Sequence, residues 1–298
     1  MITIEKKGHI LNLISILMMT IGPLLSKFGV LEISPSKAAI INTITIILAA
    51  YCYGMISKKG TRFYKDKEIL LLAVFNSLGV IFLYLSTSLL SPVEIGFIGR
   101  FYTVFAIIFS IFILKERLTK RESIFIVIAV IGIFMFVETD GVMGANFIGI
   151  VYAFLYTMFF ALANIYIKKT MSPERDSNSI LFTNNCVTLI FVILFGLFSQ
   201  DLFDGQYSLS GISFIVVSSL LTGFIGTLFL YEALKYLRFA IANTIRAFSP
   251  ILLALFSYPF FPVELTIQKI LGAVVILLSI FLLTTSKGKE SKDKKKAM

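Results

Sequence analysis

The sequence predicts an all-α integral membrane protein with ten transmembrane helices, arranged as two five-helix repeats of inverted topology. Three observations predict this fold: the length of the apolar runs, the alternation of positive charge between successive loops, and a similarity between the two halves of the chain. The hydrophobic fraction is 57% and the charged fraction is 15% of 298 residues. A soluble domain is closer to half apolar and a quarter charged, so the composition favours a membrane protein.

Each apolar run is about 20 residues long, which as an α-helix crosses a bilayer core of about 30 Å. The runs are continuous and do not alternate with a period of two, so they predict helices rather than barrel strands. We expect the first run to remain in the mature protein, because no small-residue cleavage site follows it. In chain order the predicted spans are 10–26, 38–56, 69–90, 93–114, 121–137, 147–167, 180–198, 212–233, 240–261 and 266–285.

Positive charge alternates from one side of the predicted bundle to the other. Of the 27 Lys and Arg residues, 22 fall in the termini and even-numbered loops, 3 fall on the other side, and 2 lie inside spans. Basic loops remain in the cytoplasm, so both termini are expected there. One span more or fewer would destroy the alternation. The basic cytoplasmic loops also account for the net charge of +10, so that charge does not indicate a nucleic-acid partner.

The two halves of the chain share a sequence frame. The first stretch is RFYTVFAIIFSIFILKERLT from Arg100, and the second is RAFSPILLALFSYPFFPVELT from Arg246. Five spans are an odd number, so the second copy enters the membrane from the opposite side, a plan common among secondary transporters. We therefore predict a first repeat over 1–139, a second over 140–286, and a basic cytoplasmic tail over 287–298.

Four stretches carry a resemblance to a known family: LKERLT (114–119), YEALKYL (231–237), the Ser-Pro pair at 249–250, and PVELT (262–266). On these the chain resembles the EamA-type ten-span members of the drug/metabolite transporter superfamily. The resemblance covers nearly the whole chain. It implies a ten-helix transporter with a central cavity between the repeats, working by alternating access, and it implies no particular substrate.

Arg100 and Arg246 are the candidate binding residues of the two halves. They lie about eight and six residues into their spans, roughly 9–12 Å deep. A charge at that depth costs roughly 2.5–3.5 kcal/mol on insertion scales, so each should face the bundle interior. Two guanidinium forks there could hold a carboxylate or a phosphate. Alternatively, each arginine is structural: it pairs with an internal acid, for which Glu94 and Glu232 are available, or it caps backbone carbonyls at a broken helix.

Other polar and irregular residues within the spans complete the candidate site. The further cavity candidates are Tyr102, Thr103, Asn243, Asn42 and Asn164. Pro23 and Pro250 interrupt spans one and nine and are expected to kink or hinge them. Glu116 begins the Glu-x-Leu-Thr stretch of the first half, and Glu264 begins the Glu-Leu-Thr stretch of the second half. Both are interpreted as structural. No metal ligands and no cofactor are predicted.

The predicted function is secondary transport of a small polar metabolite, such as an amino acid or another carboxylate-bearing solute, through the cell membrane. A flippase for a phosphate-bearing lipid and a multidrug or cation exporter are the alternatives. A membrane-embedded enzyme is disfavoured, because the only histidine is His9 and the acids are scattered singly. No ATP-binding motif is present, so a coupled ion or the substrate gradient should supply the energy. The expected location is the plasma (inner) membrane of a bacterium, and a monomer and a homodimer both remain open.

Overall fold

The computed structural model describes residues 4–114, 120–136, 145–171, 174–205, 207–237, 246, 249–262 and 266–296. Every regular element in these ranges is helical. The α-helices are α1 (Ile4–Val30), α2 (Pro35–Ile56), α3 (Lys67–Leu89), α4 (Pro92–Ile98), α5 (Tyr102–Leu114), α6 (Lys120–Phe136), α7 (Ala145–Thr170), α8 (Ser177–Ser199), α9 (Leu209–Ser218), α10 (Thr227–Tyr236), α11 (Ser249–Ser257) and α12 (Ile267–Lys296). A 3-10 turn (Gly99–Phe101) joins α4 to α5, and a π segment (Ser219–Gly226) joins α9 to α10.

The all-α prediction is confirmed for the described residues. Six helical segments are long and apolar enough to cross a membrane: Lys7–Val30, Pro35–Ile56, Lys67–Leu89, Phe147–Ile167, Ser177–Ser199 and Leu209–Tyr236. The apolar parts of α6 and α12, Ser123–Gly132 and Ile267–Leu282, are shorter. The six segments coincide with predicted spans one, two, three, six, seven and eight, and the full number of ten stays a prediction.

Helix α1 packs along the whole of the α9–π–α10 segment and runs antiparallel to it. At one end a Cβ on Gly8 would lie 2.8 Å from the side chain of Leu237, and at the other a Cβ on Gly29 would lie 2.4 Å from Ile215. Between them the hydroxyl of Ser218 donates to the carbonyl of Gly22 at 2.8 Å. Small residues allow this close approach, which is the usual way for helices to associate in lipid.

Helix α3 packs against α7 in the same antiparallel sense. Its Phe75 ring lies 5.6 Å from Tyr166, and its Phe82 ring lies 5.8 Å from Tyr152. Helix α2 packs against α8, where the amide of Asn178 donates to the carbonyl of Ala50 at 2.9 Å. These contacts join spans of the first predicted repeat to spans of the second.

The helices at the last two predicted spans of one half pack against those at the last two predicted spans of the other half. Gly96 of α4 faces Leu253 of α11, and Gly132 of α6 faces Val275 and Ile276 of α12. Counted within each half, the first helix packs on the third of the other half, the second on the second, the fourth on the fourth and the fifth on the fifth. Exchanging the two halves leaves this set of pairings unchanged.

The described backbone departs from regular α-helix at two points beside the bundle centre. The 3-10 turn follows α4, which begins with a capping box in which Ser91 and Glu94 bond each other's backbone N–H groups. A Cβ on Gly99 would lie 2.6 Å from the hydroxyl of Tyr156, so a larger residue there would displace the Tyr156 hydroxyl of α7. The π segment in the eighth span is the second departure, and such segments are frequent at functional sites.

Candidate functional site

A cavity of about 360 Å³ lies at the centre of the helix bundle. Its volume falls within the range of small-molecule sites, which is about 300–1,000 Å³. It is lined by residues of α1, α2, α3, α4, α7, α8, α9, the π segment, α10 and α11, together with Arg100, Tyr102 and Arg246. No residue of α6 or α12 lines it, so among the described helices these two lie outside the cavity wall.

Arg246 enters the cavity and is held by α1. Its Nη2 donates to the hydroxyl of Ser15 at 2.6 Å and approaches the sulfur of Met19 at 2.9 Å. Ser15 is fully buried and donates in turn to the carbonyl of Gly226, the last residue of the π segment, at 2.6 Å. One serine therefore links this guanidinium to both α1 and the π segment.

Arg100 lies in the 3-10 turn and also lines the cavity. Its Nη1 donates to the carbonyl of Arg246 at 2.7 Å, which ties the two arginines together. The Nε atoms of both guanidinium groups are buried without a hydrogen-bond partner among the described residues. Both groups therefore keep N–H donors that the described side chains leave unused.

No carboxylate balances these two charges in the described cavity wall. The lining residues include no aspartate or glutamate. Glu94 accepts hydrogen bonds from the backbone and hydroxyl of Ser91, and Glu232 pairs with Lys235 at 2.8 Å. In the part of the chain that the structure describes, neither acid forms an ion pair with Arg100 or Arg246, so the alternative in which these acids neutralise the arginines does not hold there.

The structure brings most of the other predicted residues to the same cavity. Tyr102, Asn42, Asn164, Pro23 and Pro250 all line it. Pro23 lies within the continuous helix α1, and Pro250 is the second residue of α11, where a proline is tolerated because the first turn has no intrahelical partner for its N–H.

Four predicted residues contribute no side-chain geometry. Thr103 belongs to α5, but its side chain lies outside the described atoms. Asn243, Glu116 and Glu264 fall outside the described residues. Their assigned roles therefore stay predictions.

Sequence reasoning missed the residues that hold the arginines in place. Ser15 has no signal of its own, because small hydroxyl residues are common throughout membrane helices. The π segment contributes Thr222 and Gly223 to the cavity wall. Its sequence includes TGFIG, and nothing in that pattern distinguishes it from an α-helical turn. Tyr156, whose hydroxyl donates to the carbonyl of Ile95 at 2.8 Å, fixes α7 to α4 beside Arg100.

At one end of the bundle, two polar contacts secure the helix ends. The ammonium of Lys27, which is 8% exposed, donates to the carbonyls of Thr87 at 2.9 Å and Ser88 at 3.1 Å and so caps α3. In the turn after α1, hydrogen bonds from the hydroxyls of Ser208 and Ser210 lower the pKa of the Glu32 carboxyl.

The comparisons with known proteins agree with this architecture. The fold is similar to that of a protein of known crystal structure, with a TM-score of 0.64 and 13% sequence identity over 93% of this chain and 96% of the other. No curated protein matches the sequence. The sequence profile of the EamA-like transporter family matches residues 6–138 and again residues 147–285. The chain therefore belongs to the EamA-like transporter family, within the drug/metabolite transporter superfamily, and is an integral membrane protein.

Proposed function

We propose that this protein is a secondary transporter of a small solute bearing a carboxylate or a similar anionic group, such as an amino acid, and that the solute binds between Arg100 and Arg246. One observation carries the proposal: two guanidinium groups share a cavity whose described wall holds no carboxylate. A buried charge needs a partner or a strong compensation. An anionic solute would supply that partner, and the planar guanidinium suits a carboxylate or phosphate.

The helix pairing supports transport by alternating access through ten helices in two inverted repeats. The pairings are symmetric under exchange of the halves, as expected of two copies related by a two-fold axis in the membrane plane. The 3-10 turn at Arg100 and the π segment place irregular backbone at the cavity, as in many transporters. The loop charges favour a cytoplasmic location for both termini, and the proposed membrane is the plasma (inner) membrane of a bacterium.

The proposal can be tested with purified protein and the variants Arg100→Gln and Arg246→Gln. The melting temperature would be measured in the presence of amino acids, organic acids, nucleotides, sugars, cations and anionic lipids in turn. A ligand that binds the folded state raises the melting temperature. Arg121→Gln is the matched control, because Arg121 is an exposed arginine of α6 outside the cavity. Solutes that stabilise the parent protein would then be tested for uptake into proteoliposomes.

We expect an acidic solute to stabilise the parent and Arg121→Gln, and both cavity variants to lose most of that effect. Loss of a charge-assisted hydrogen bond weakens binding by about 10- to 150-fold, from about 1.5–3 kcal/mol. Stabilisation by anionic lipid alone would support a flippase instead. Equal stabilisation of the parent and both cavity variants by neutral or cationic solutes would refute the assignment of the arginines.

A further inference from the structure

The loop between α2 and α3 carries a dense group of positive charges. In residues 57–68 the acids are Asp66 and Glu68, and cations outnumber them five to two. Asp66 is already paired with Arg175, at 2.8 Å. None of the five cations forms an ion pair with a described residue. All five are exposed, and we call them the basic loop cluster: Lys58, Lys59, Arg62, Lys65 and Lys67.

The backbone of this loop is fixed against α8. The N–H of Arg62 donates to the hydroxyl of Ser179 at 3.0 Å, and that of Tyr64 donates to the hydroxyl of Thr183 at 3.1 Å. The Tyr64 ring packs against a buried cluster, and its centre lies 5.4 Å from Cζ of Arg175. The cations therefore stand on a preformed surface, and a partner that binds there pays little to order it.

Apolar side chains border the cluster and are open to the surroundings. Phe63 is 49% exposed and stands between Arg62 and Lys65 in the chain. Ile56, the last residue of α2, is 81% exposed. Helices α2 and α3 are both long and apolar enough to cross a membrane, so the loop that joins them lies at a membrane surface. Clustered cations next to a membrane helix are typical of contact with anionic lipid headgroups.

The packing of the loop does not account for its cations. The corresponding loop of the second half, 200–208, reaches the start of α2, where Asp204 pairs with Lys37. The ring of Tyr207 lies 4.3 Å from the same ammonium. Both loops thus place an acid and a tyrosine on a cation of the other half, but the second loop contains no lysine or arginine. The first loop adds unpaired cations to a contact that forms without them.

We propose that the basic loop cluster binds an anionic phospholipid of the adjacent leaflet, with its phosphate on the cations and an acyl chain against Ile56 and Phe63. A phosphodiester headgroup offers oxygen acceptors, whereas lysine and arginine offer only N–H donors, so the two sets match. All the residues of this site are described, and none of them lines the central cavity. The inference therefore stands apart from the proposed function.

The test measures lipid binding to the purified full-length protein in detergent. Phosphatidylglycerol, which is anionic, and phosphatidylcholine, which is zwitterionic, would be titrated with the same acyl chains, and each Kd would be measured by native mass spectrometry. We expect phosphatidylglycerol to bind about tenfold or more tightly, since each cation near an anionic headgroup strengthens binding about fivefold. The preference should fall as the ionic strength rises, because salt screens exposed charges.

Two variants that lose the same charge locate the effect. One replaces four lysines of the cluster and should bring the preference close to one: Lys58→Gln, Lys59→Gln, Lys65→Gln and Lys67→Gln. The matched control replaces four lysines of the C-terminal tail and should keep the preference of the parent: Lys289→Gln, Lys292→Gln, Lys294→Gln and Lys295→Gln. Equal loss in the two variants would attribute the preference to net charge and would overturn the proposal.

A second pair of variants tests the apolar part of the site. Phe63→Ser should weaken the binding of phosphatidylglycerol about fivefold, because the ring no longer covers the acyl chain. Phe203→Ser is the matched control, since Phe203 is an exposed phenylalanine of the loop in the second half that lacks cations. Equal binding by Phe63→Ser and the parent would contradict the position of the acyl chain.

The remaining outcomes separate this site from the central cavity. Arg100→Gln and Arg246→Gln should bind phosphatidylglycerol as the parent does. If these two variants lose the lipid while the four-lysine variant of the cluster keeps it, the lipid binds in the central cavity, which overturns the inference and supports a flippase. A parent protein that binds the two lipids equally would also overturn it and would leave the proposed anion site untouched.

Discussion

The crossing of α1 and the π segment leaves no room for a methyl group at Gly22. A Cβ added there would lie 1.6 Å from Oγ1 of Thr222 and 2.7 Å from its Cβ, whereas real contacts are essentially never shorter than 3.0 Å. Rotating the Thr222 side chain would break its hydrogen bond to the carbonyl of Met18, at 3.3 Å, and would still leave the 2.7 Å contact. In Gly22→Ala the two helices must therefore move apart.

Overpacking of this kind costs about 1–3 kcal/mol. Separation of the helices also stretches the bonds from Ser218 to the carbonyl of Gly22 and from Ser15 to that of Gly226, each worth about 1 kcal/mol. We expect Gly22→Ala to lose roughly 2–4 kcal/mol, which lowers the melting temperature by roughly 4–15 °C. Thermal unfolding in detergent, followed by circular dichroism, would measure the shift.

Two matched variants test the steric reason for this loss. Gly96→Ala is the control, since its Cβ would meet only the terminal Cδ2 of Leu253, at 2.8 Å, which can rotate away. Adding Thr222→Ala to Gly22→Ala removes the worst contact and should recover part of the loss. A Gly22→Ala protein as stable as the parent, or a double variant no better than the single one, would refute the reasoning.

Two further predictions concern the helix ends. Lys27→Met removes the donor to the carbonyls of Thr87 and Ser88 and should destabilise the protein by about 1–3 kcal/mol, measured by the same melting curves; an unchanged melting temperature would contradict the capping role. Because the folded-state pKa of Glu32 is lowered, its contribution to stability is complete above the ordinary glutamate pKa and is lost as the pH falls through the lowered value. Glu32→Gln should make the acid side of the stability profile shallower, and identical profiles for variant and parent would count against it.

The location of the charges in this site could be predicted from the sequence because charge in lipid is rare. Arg100 and Arg246 are conspicuous within apolar spans, and their positions in two similar stretches predicted a shared site. The hydrogen bond from Arg100 to the carbonyl of Arg246 shows that the two residues lie close together, and a binding role for them stays a prediction. The asparagines were visible for the same reason, as polar groups in apolar surroundings.

The supporting contacts were not predictable, and the reason is physical. Ser15 and Thr222 have roles only because α1 and the π segment cross at them, and that crossing depends on tertiary packing between distant parts of the chain. No local sequence pattern marks the π segment, because packing against other helices stabilises the extra residue in its turn. Glu94 was a reasonable partner for an arginine by sequence proximity, but the capping box at Ser91 engages it instead.

The packing of helices from one half of the chain against helices from the other half has a consequence for the synthesis of the protein. In the finished protein α1 and α3 bury their small and polar faces against α9–α10 and α7, which the ribosome makes later. Ser26, for example, contacts Ser218 at 2.7 Å, a partner 192 residues downstream. We therefore expect a newly inserted first half to hold unmatched surfaces within the lipid until the second half is made.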